Sequence, residues 1–259
     1  MYLIISKLLG YRKHVIDENL KHAFPDKTNE ERREIREKFY RFFSDFILEV
    51  IKMYSISKKS LIKRITFENS EALDKYSREG KSVVIALGHF GNWEWAGPGA
   101  ANQLEFHFQA IYKRLLNPYF DNLVLHLRSR LDVELLEMKT AARKMMLDSK
   151  RLTATAFPMD QRPPPEYAVW TSFMNREAGF FMGPEKIARK MHYPVIYASV
   201  LRIKRGHYKM ILKEITANAS VENEGSVIKK FVGLLEEDIK THPEFYLWSH
   251  KRWKHKRIS

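Results

Sequence analysis

From about residue 62 onward, short apolar runs alternate with amphipathic stretches, and that rhythm limits the chain to few architectures. Candidate strands are Ile65–Phe67, Ser82–Leu87, Phe106–Tyr112, Leu152–Phe157, Ala168–Thr171, Val195–Leu201 and Tyr208–Glu214. Helical spacing falls between them, at Asn92–Leu104, Pro118–Arg130, Thr140–Asp148, Gly183–His192 and Val221–Thr241. Strands alternating with helices predict an α/β fold: a central, mostly parallel or mixed sheet of about seven strands flanked by helices.

Residues 1–60 read differently, as a helical region packing on that core. Pro25-Asp26-Lys27 predicts a turn, and Thr28 with Glu31 three residues on forms a capping-box pattern. Ile35, Phe39, Phe42, Phe43, Phe46, Val50 and Tyr54 then recur at helical spacing. The stripe suits core packing or a face shared with lipid. The expected division is a helical region over 1–60 and a catalytic domain over 61–259.

The strand expected at Ser82–Leu87 runs into Gly88-His89-Phe90-Gly91-Asn92-Trp93-Glu94. On a regular helix, side chains five residues apart diverge by about 140°. His89 and Glu94 therefore meet only if His89 ends the strand and Glu94 lies in the next helix's first turn. Gly91 permits the bend and Asn92 is a good N-cap. Near a helix N-terminus Glu94 favours its ionised form. A carboxylate beside His89 would fix the imidazole tautomer and let the other ring nitrogen take a proton from a hydroxyl. The alternative is a histidine that merely caps a loop. No HExxH pattern supports zinc, and no metal is expected.

The chain contains no cysteine, which removes disulfides, thiolate nucleophiles and cysteine-held metals. Its 45 Lys and Arg against 31 Asp and Glu leave a net charge of +14. That excess calls for anionic partners: nucleic acid, lipid head groups, or acidic proteins and phosphorylated substrates. No apolar stretch reaches the roughly 20 residues of a membrane span. The run Met1–Ile5 reads either as the tail of a membrane anchor or as a helix that starts the fold.

Gly88–Glu94 resembles the first signature of the late acyltransferases of lipid A biosynthesis, a branch of the lysophospholipid acyltransferase superfamily marked by a histidine, four residues and an acid. Asn19-Leu20 to Ala23-Phe24-Pro25 is similar to the family's N-terminal signature. Tyr112-Lys113-Arg114-Leu115-Leu116-Asn117-Pro118 resembles its second block, with Lys113 where the family usually has arginine. Asp160-Gln161, then Phe173–Glu177 and Gly183, resemble the third block, departing at Met174–Glu177, a change that points to the acyl pocket or the acceptor. Pro243–Lys254 resembles the last block closely. The blocks together span roughly residues 12–256.

The resemblance implies a glycerolipid-acyltransferase-like fold and transfer of a fatty acyl group from acyl carrier protein, or coenzyme A, to a hydroxyl of a phosphorylated glucosamine lipid. It implies His89 as general base and Glu94 as its orienter. Asn92, Lys113, Arg114, Arg128, Arg130 and Asp160 are the expected substrate-binding residues. Asp160 also reads as a turn acid before Pro163-Pro164-Pro165. The basic residues would stabilise the oxyanion or bind phosphates.

No cofactor is expected. The expected partners are the acidic carrier protein, the anionic glycolipid acceptor and a membrane surface, at the cytoplasmic face of the bacterial inner membrane. Family members usually carry an N-terminal membrane segment, and this chain begins near where that segment would end, so it is expected to be truncated or to start late, and to be peripheral or anchored by an N-terminal segment missing here. Tryptophans and lysines near residues 248–256 suit an interface or simply close the fold. A sibling enzyme acting on another glycolipid, aminolipid or lysophospholipid is the main alternative. A nucleic-acid binder is remote, because no recognition signature accompanies the charge.

Overall fold

The computed structural model describes residues 1–114 and 116–257. Leu115, in the middle of the second block, lies outside the described residues. The helical start comprises a short π-helical turn, Ile4–Leu8, then α1 (Lys13–Ala23), α2 (Asn29–Lys52) and α3 (Lys58–Ile62). The alternating part runs β1 (Ile65–Glu68), α4 (Glu71–Arg78), β2 (Val83–Leu87), α5 (Trp93–Ala101), β3 (His107–Tyr112), α6 (Pro118–Ser129), β4 (Glu134–Glu137), α7 (Ala141–Leu147) and β5 (Thr153–Pro158). It continues with β6 (Ala168–Phe173), β7 (Arg176–Phe181), α8 (Gly183–Met191), β8 (Val195–Lys204), β9 (His207–Thr216) and α9 (Ser226–Thr241).

The main sheet has seven strands in the order β1-β9-β8-β2-β5-β3-β4. It is mixed: β8 and β9 pair antiparallel, and every other pair is parallel. The seventh strand is not the one expected. Ala168–Phe173 leaves the sheet and forms a separate hairpin with Arg176–Phe181, and Glu134–Glu137 takes the edge. Met174 and Asn175 turn that hairpin with positive φ, 49° and 63°, as a two-residue turn between twisted strands requires. The family departure at Met174–Glu177 thus falls on a hairpin tip, and none of its residues lines the cleft described below.

All five residues of β2 are buried, as a central parallel strand covered on both faces demands. The capping box forms at Thr28 and Glu31. Of the α2 stripe, Ile35, Phe39, Phe42, Phe43 and Phe46 are buried in the same apolar core as the sheet, whereas Tyr54 is exposed. Cutting Phe39 to Ala would cost about 3–5 kcal/mol. Glu49 of α2 is buried too. Its carboxylate accepts from Asn92 Nδ2 at 2.8 Å and from the Tyr208 hydroxyl at 2.6 Å, tying α2 to the start of α5 and to β9. Among the described residues no helix is long and apolar enough to cross a membrane.

Candidate active site

β2 and β5 are parallel neighbours, with Leu87 beside Pro158. One further bond, Met159 N–H to Leu87 O at 2.9 Å, carries the pairing past the strand ends. His89 and Asp160, each two residues beyond its strand, therefore leave the sheet side by side. This is the carboxyl end of the parallel strands, where open α/β sheets place their ligands.

The chain turns sharply after His89. Gly91 has φ +64°, and a Cβ there would lie 1.7 Å from Val200 O, so neither the backbone angle nor the space admits a side chain. Asn92 then caps α5, accepting from Trp95 N–H at 3.0 Å. The cap leaves Glu94 in the first turn, as the sequence predicts.

The contact expected between Glu94 and His89 is made by a different acid. His89 Nδ1 lies 2.6 Å from Asp160 Oδ1, and the His89 backbone N–H donates to Oδ2 at 3.0 Å. Asp160 is buried, its side chain only 3% exposed. No hydrogen bond links His89 to Glu94 among the described residues. Glu94 instead accepts a two-pronged pair from Arg128, Nε at 2.8 Å and Nη2 at 2.6 Å, and a bond from Trp93 Nε1 at 3.2 Å. The Trp93 ring stands edge-on to His89 with centroids 5.0 Å apart.

Burial works against charge on all three groups, and their partners overcome it. Burial pulls the His89 pKa down, but Asp160, then Glu94, outweigh it and leave it above the ordinary value. Burial pushes Glu94 up, and Arg128 brings it below the usual carboxylate value. Burial likewise pushes Asp160 up, and His89 brings it down. With Asp160 holding the Nδ1 proton, His89 Nε2 is the free basic atom. It faces the Gln161 amide nitrogen at 3.3 Å.

His89, Trp93, Glu94, Arg128 and Gln161 line a cleft of about 700 Å³. Lys113 and Arg114 line it as well, and Arg114 is exposed, 3.5 Å from Asp121. A smaller cavity of about 70 Å³ shares Trp93, Glu94, Ile111, Arg128 and Pro158 with the cleft and runs between α5 and the sheet. Its other walls are apolar and often small, among them Ala96, Gly97, Ala110 and Ala156.

Two expected substrate-binding residues lie elsewhere. Arg130 Nη1 donates to Met53 O at 2.7 Å and Ile56 O at 3.0 Å, fastening the end of α2. Asn92 is fully buried, with its amide spent on Glu49 and the α5 cap. Sequence reasoning gave Gln161 no role and Trp93 none. The only signal for Gln161 was its place after Asp160.

A histidine whose outer nitrogen faces a cleft with an apolar annex suits moving an acyl group onto a hydroxyl. No individually curated protein matches the chain. A family profile does, over nearly its whole length: the chain belongs to the bacterial lipid A biosynthesis acyltransferases, matched over residues 4–255.

Proposed function

We propose that the protein moves a fatty acyl chain from an acyl carrier protein thioester to a hydroxyl of a lipid A precursor, with His89 as the base. The observation that carries this reading is the His89–Asp160 pair, which turns Nε2 toward the cleft, where the Gln161 amide is its partner. The acceptor hydroxyl takes the place of the Gln161 amide and gives its proton to Nε2. Its oxygen attacks the thioester carbonyl, the C–S bond breaks, and the departing thiolate recovers the proton from His89. Asp160 holds the ring and stabilises the imidazolium, and the ionised Glu94 adds to that stabilisation. The thioester supplies the activation, so the scheme needs no cofactor.

One end of the acyl chain, a few carbons, enters the small cavity beneath α5, whose lining is almost wholly apolar away from Glu94 and Arg128. The Arg128 guanidinium, at the junction of cleft and cavity, is the cation placed to meet the oxyanion. Lys113 and Arg114, at the cleft's exposed side, suit acceptor phosphates or the acidic carrier. Exposed apolar side chains border the same region: Leu116, then Tyr119 and Leu123 on the outer face of α6. Tyr54 and His126 join that face to the end of α2, where Ile51 is also exposed. This rim suits a membrane surface from which the lipid acceptor enters.

The test is direct. The purified protein, given a tetra-acylated precursor and acyl-carrier or acyl-coenzyme A thioesters, should add one acyl mass. His89→Ala should lower the rate at least about 10³-fold while the protein stays folded. A fully active His89→Ala protein sinks the mechanism.

A further inference from the structure

The turn that carries His89 is fixed from two directions. Leu247 N–H donates to His89 O at 3.1 Å and Gly91 N–H donates to Phe245 O at 3.0 Å, with Phe90 and Tyr246 bridged antiparallel between them. Residues from the far end of the chain thus pair with the turn like a strand. Asp160 holds the ring and the backbone N–H of the same histidine. His89 is left with only 13% of its side chain exposed.

Gln161 is the exception in this frame. Its neighbours are tied down, Asp160 to His89 and Arg162 through Nη1 to Lys251 O at 2.8 Å. Among the described residues its own side chain makes one hydrogen bond, to His89 Nε2. Gln109 in the sheet shows the contrast. That amide donates to Glu134 at 3.0 Å and Asp148 at 3.2 Å and accepts from Thr155 at 2.9 Å, as a bracing glutamine should. Gln161 lies partly exposed in the cleft wall, with its amide on the one atom the chemistry needs.

The direction of that bond follows from the tautomer. Asp160 accepts the Nδ1 proton, so Nε2 of the neutral ring offers a lone pair and the amide N–H donates to it. At 3.3 Å the bond lies at the long, weak end of the range. It occupies the base, yet a bound substrate can break it.

The cleft, about 700 Å³, has room for many waters beside a bound thioester. A water that reached Nε2 would give the ring its proton and attack the carbonyl through its oxygen. The C–S bond would break, the thiolate would recover the proton, and a free fatty acid would leave. Water has only its own hydrogen bonds with which to displace the amide. A glycolipid anchored elsewhere in the cleft brings its hydroxyl with the rest of its binding energy, which offsets the lost amide bond.

We propose that Gln161 is a specificity-determining residue: its amide covers the base until an acceptor displaces it, and so keeps the bound thioester from water. The inference rests on the reading of His89 as the base. A merely structural role for Gln161 would lower transfer and hydrolysis alike.

Two measurements on the full-length protein test it. Diethyl pyrocarbonate modifies unprotonated imidazole nitrogen, and peptide masses separate His89 from the rest of the ten histidines. Gln161→Met keeps the length and loses the amide, so His89 should be modified about fivefold faster, the worth of roughly one hydrogen bond. With acyl-carrier thioester alone, the same variant should release free fatty acid faster by a similar factor. With a tetra-acylated acceptor added, its ratio of hydrolysis to transfer should rise likewise.

Wild-type transfer with either rate unmoved in Gln161→Met overturns the role of Gln161 alone. If that variant does not fold, Gln161→Ala decides on the same two rates. A wild-type protein that transfers no acyl group rejects the acyltransferase reading and, with it, this role for Gln161.

Discussion

Asp160, buried, and Glu94, half-buried, are two carboxylates near one imidazole, and they are neutralised in opposite ways. Glu94 is bound through two bonds to Arg128, a cation that does not titrate in the working range. Asp160 is bound to His89, whose charge would come and go during turnover under the proposed mechanism. A carboxylate locked to arginine is a fixed part of the field. A carboxylate locked to histidine takes part in the proton's movement, so its loss should be felt far more.

The widest gap between the two is expected in substitutions that keep shape and remove charge. Asp160→Asn should lower kcat/KM about 10³-fold or more, through loss of the tautomer and of imidazolium stabilisation. Glu94→Gln should cost roughly 10–100-fold, because His89 keeps its orienter while Arg128 loses its partner. Steady-state kinetics on folded variants decide the matter, and a larger loss at Glu94 would reverse the comparison.

The pH profile sharpens it further. Asp160 holds the His89 pKa above its ordinary value of 6.5, so wild-type kcat/KM should rise with pH through a midpoint above 6.5. In Asp160→Asn burial acts with less opposition, and the residual activity should show its midpoint below that of wild type. Stability has the matching sign. A raised histidine pKa stabilises the fold fully below the unfolded value, and that contribution fades as pH climbs through the folded one. Urea unfolding from pH 6 to 9 should show this loss in wild type and not in His89→Ala.

The smallest expected effect concerns the donor. A Cβ at Gly97 would reach Val133 only at 3.7 Å, an ordinary contact, so the site tolerates a side chain. Gly97→Val should fill part of the apolar cavity and favour shorter donors. Each methylene denied burial costs about 0.8 kcal/mol, or roughly fourfold in selectivity. Competition between two acyl-carrier thioesters, read by product mass, measures it.

What the sequence made legible was local. β2 reads as an apolar run because it is buried on both faces. The capping box, the Asn92 cap and the Gly91 bend are each written in a few adjacent residues. β4 was hidden because Glu134-Leu135-Leu136-Glu137 lies at a sheet edge, where charged ends are tolerated and alternation is brief. The hairpin strand Arg176–Phe181 was hidden by its charged start and its Met174-Asn175 turn, which carries no glycine.

The orienting acid was legible as a residue but not as a partner. Glu94 is near His89 in sequence, whereas Asp160 is brought there by the register of β2 against β5. Arg128 and Arg130 looked equivalent on paper. They sit two residues apart on a helical end and so point to different surroundings, one into the cleft and the other to the α2 carbonyls.

The antiparallel pairing of Phe90 with Tyr246 has a consequence for how the protein comes into being. Synthesis runs from the N-terminus, so the turn bearing His89 emerges long before the residues that clasp it. A nascent chain already holding β2 and β5 has the imidazole and its carboxylate, but the loop between β2 and α5 has no backbone partner until the 243–253 stretch arrives. The site is therefore completed late in translation, when that stretch arrives to clasp the turn.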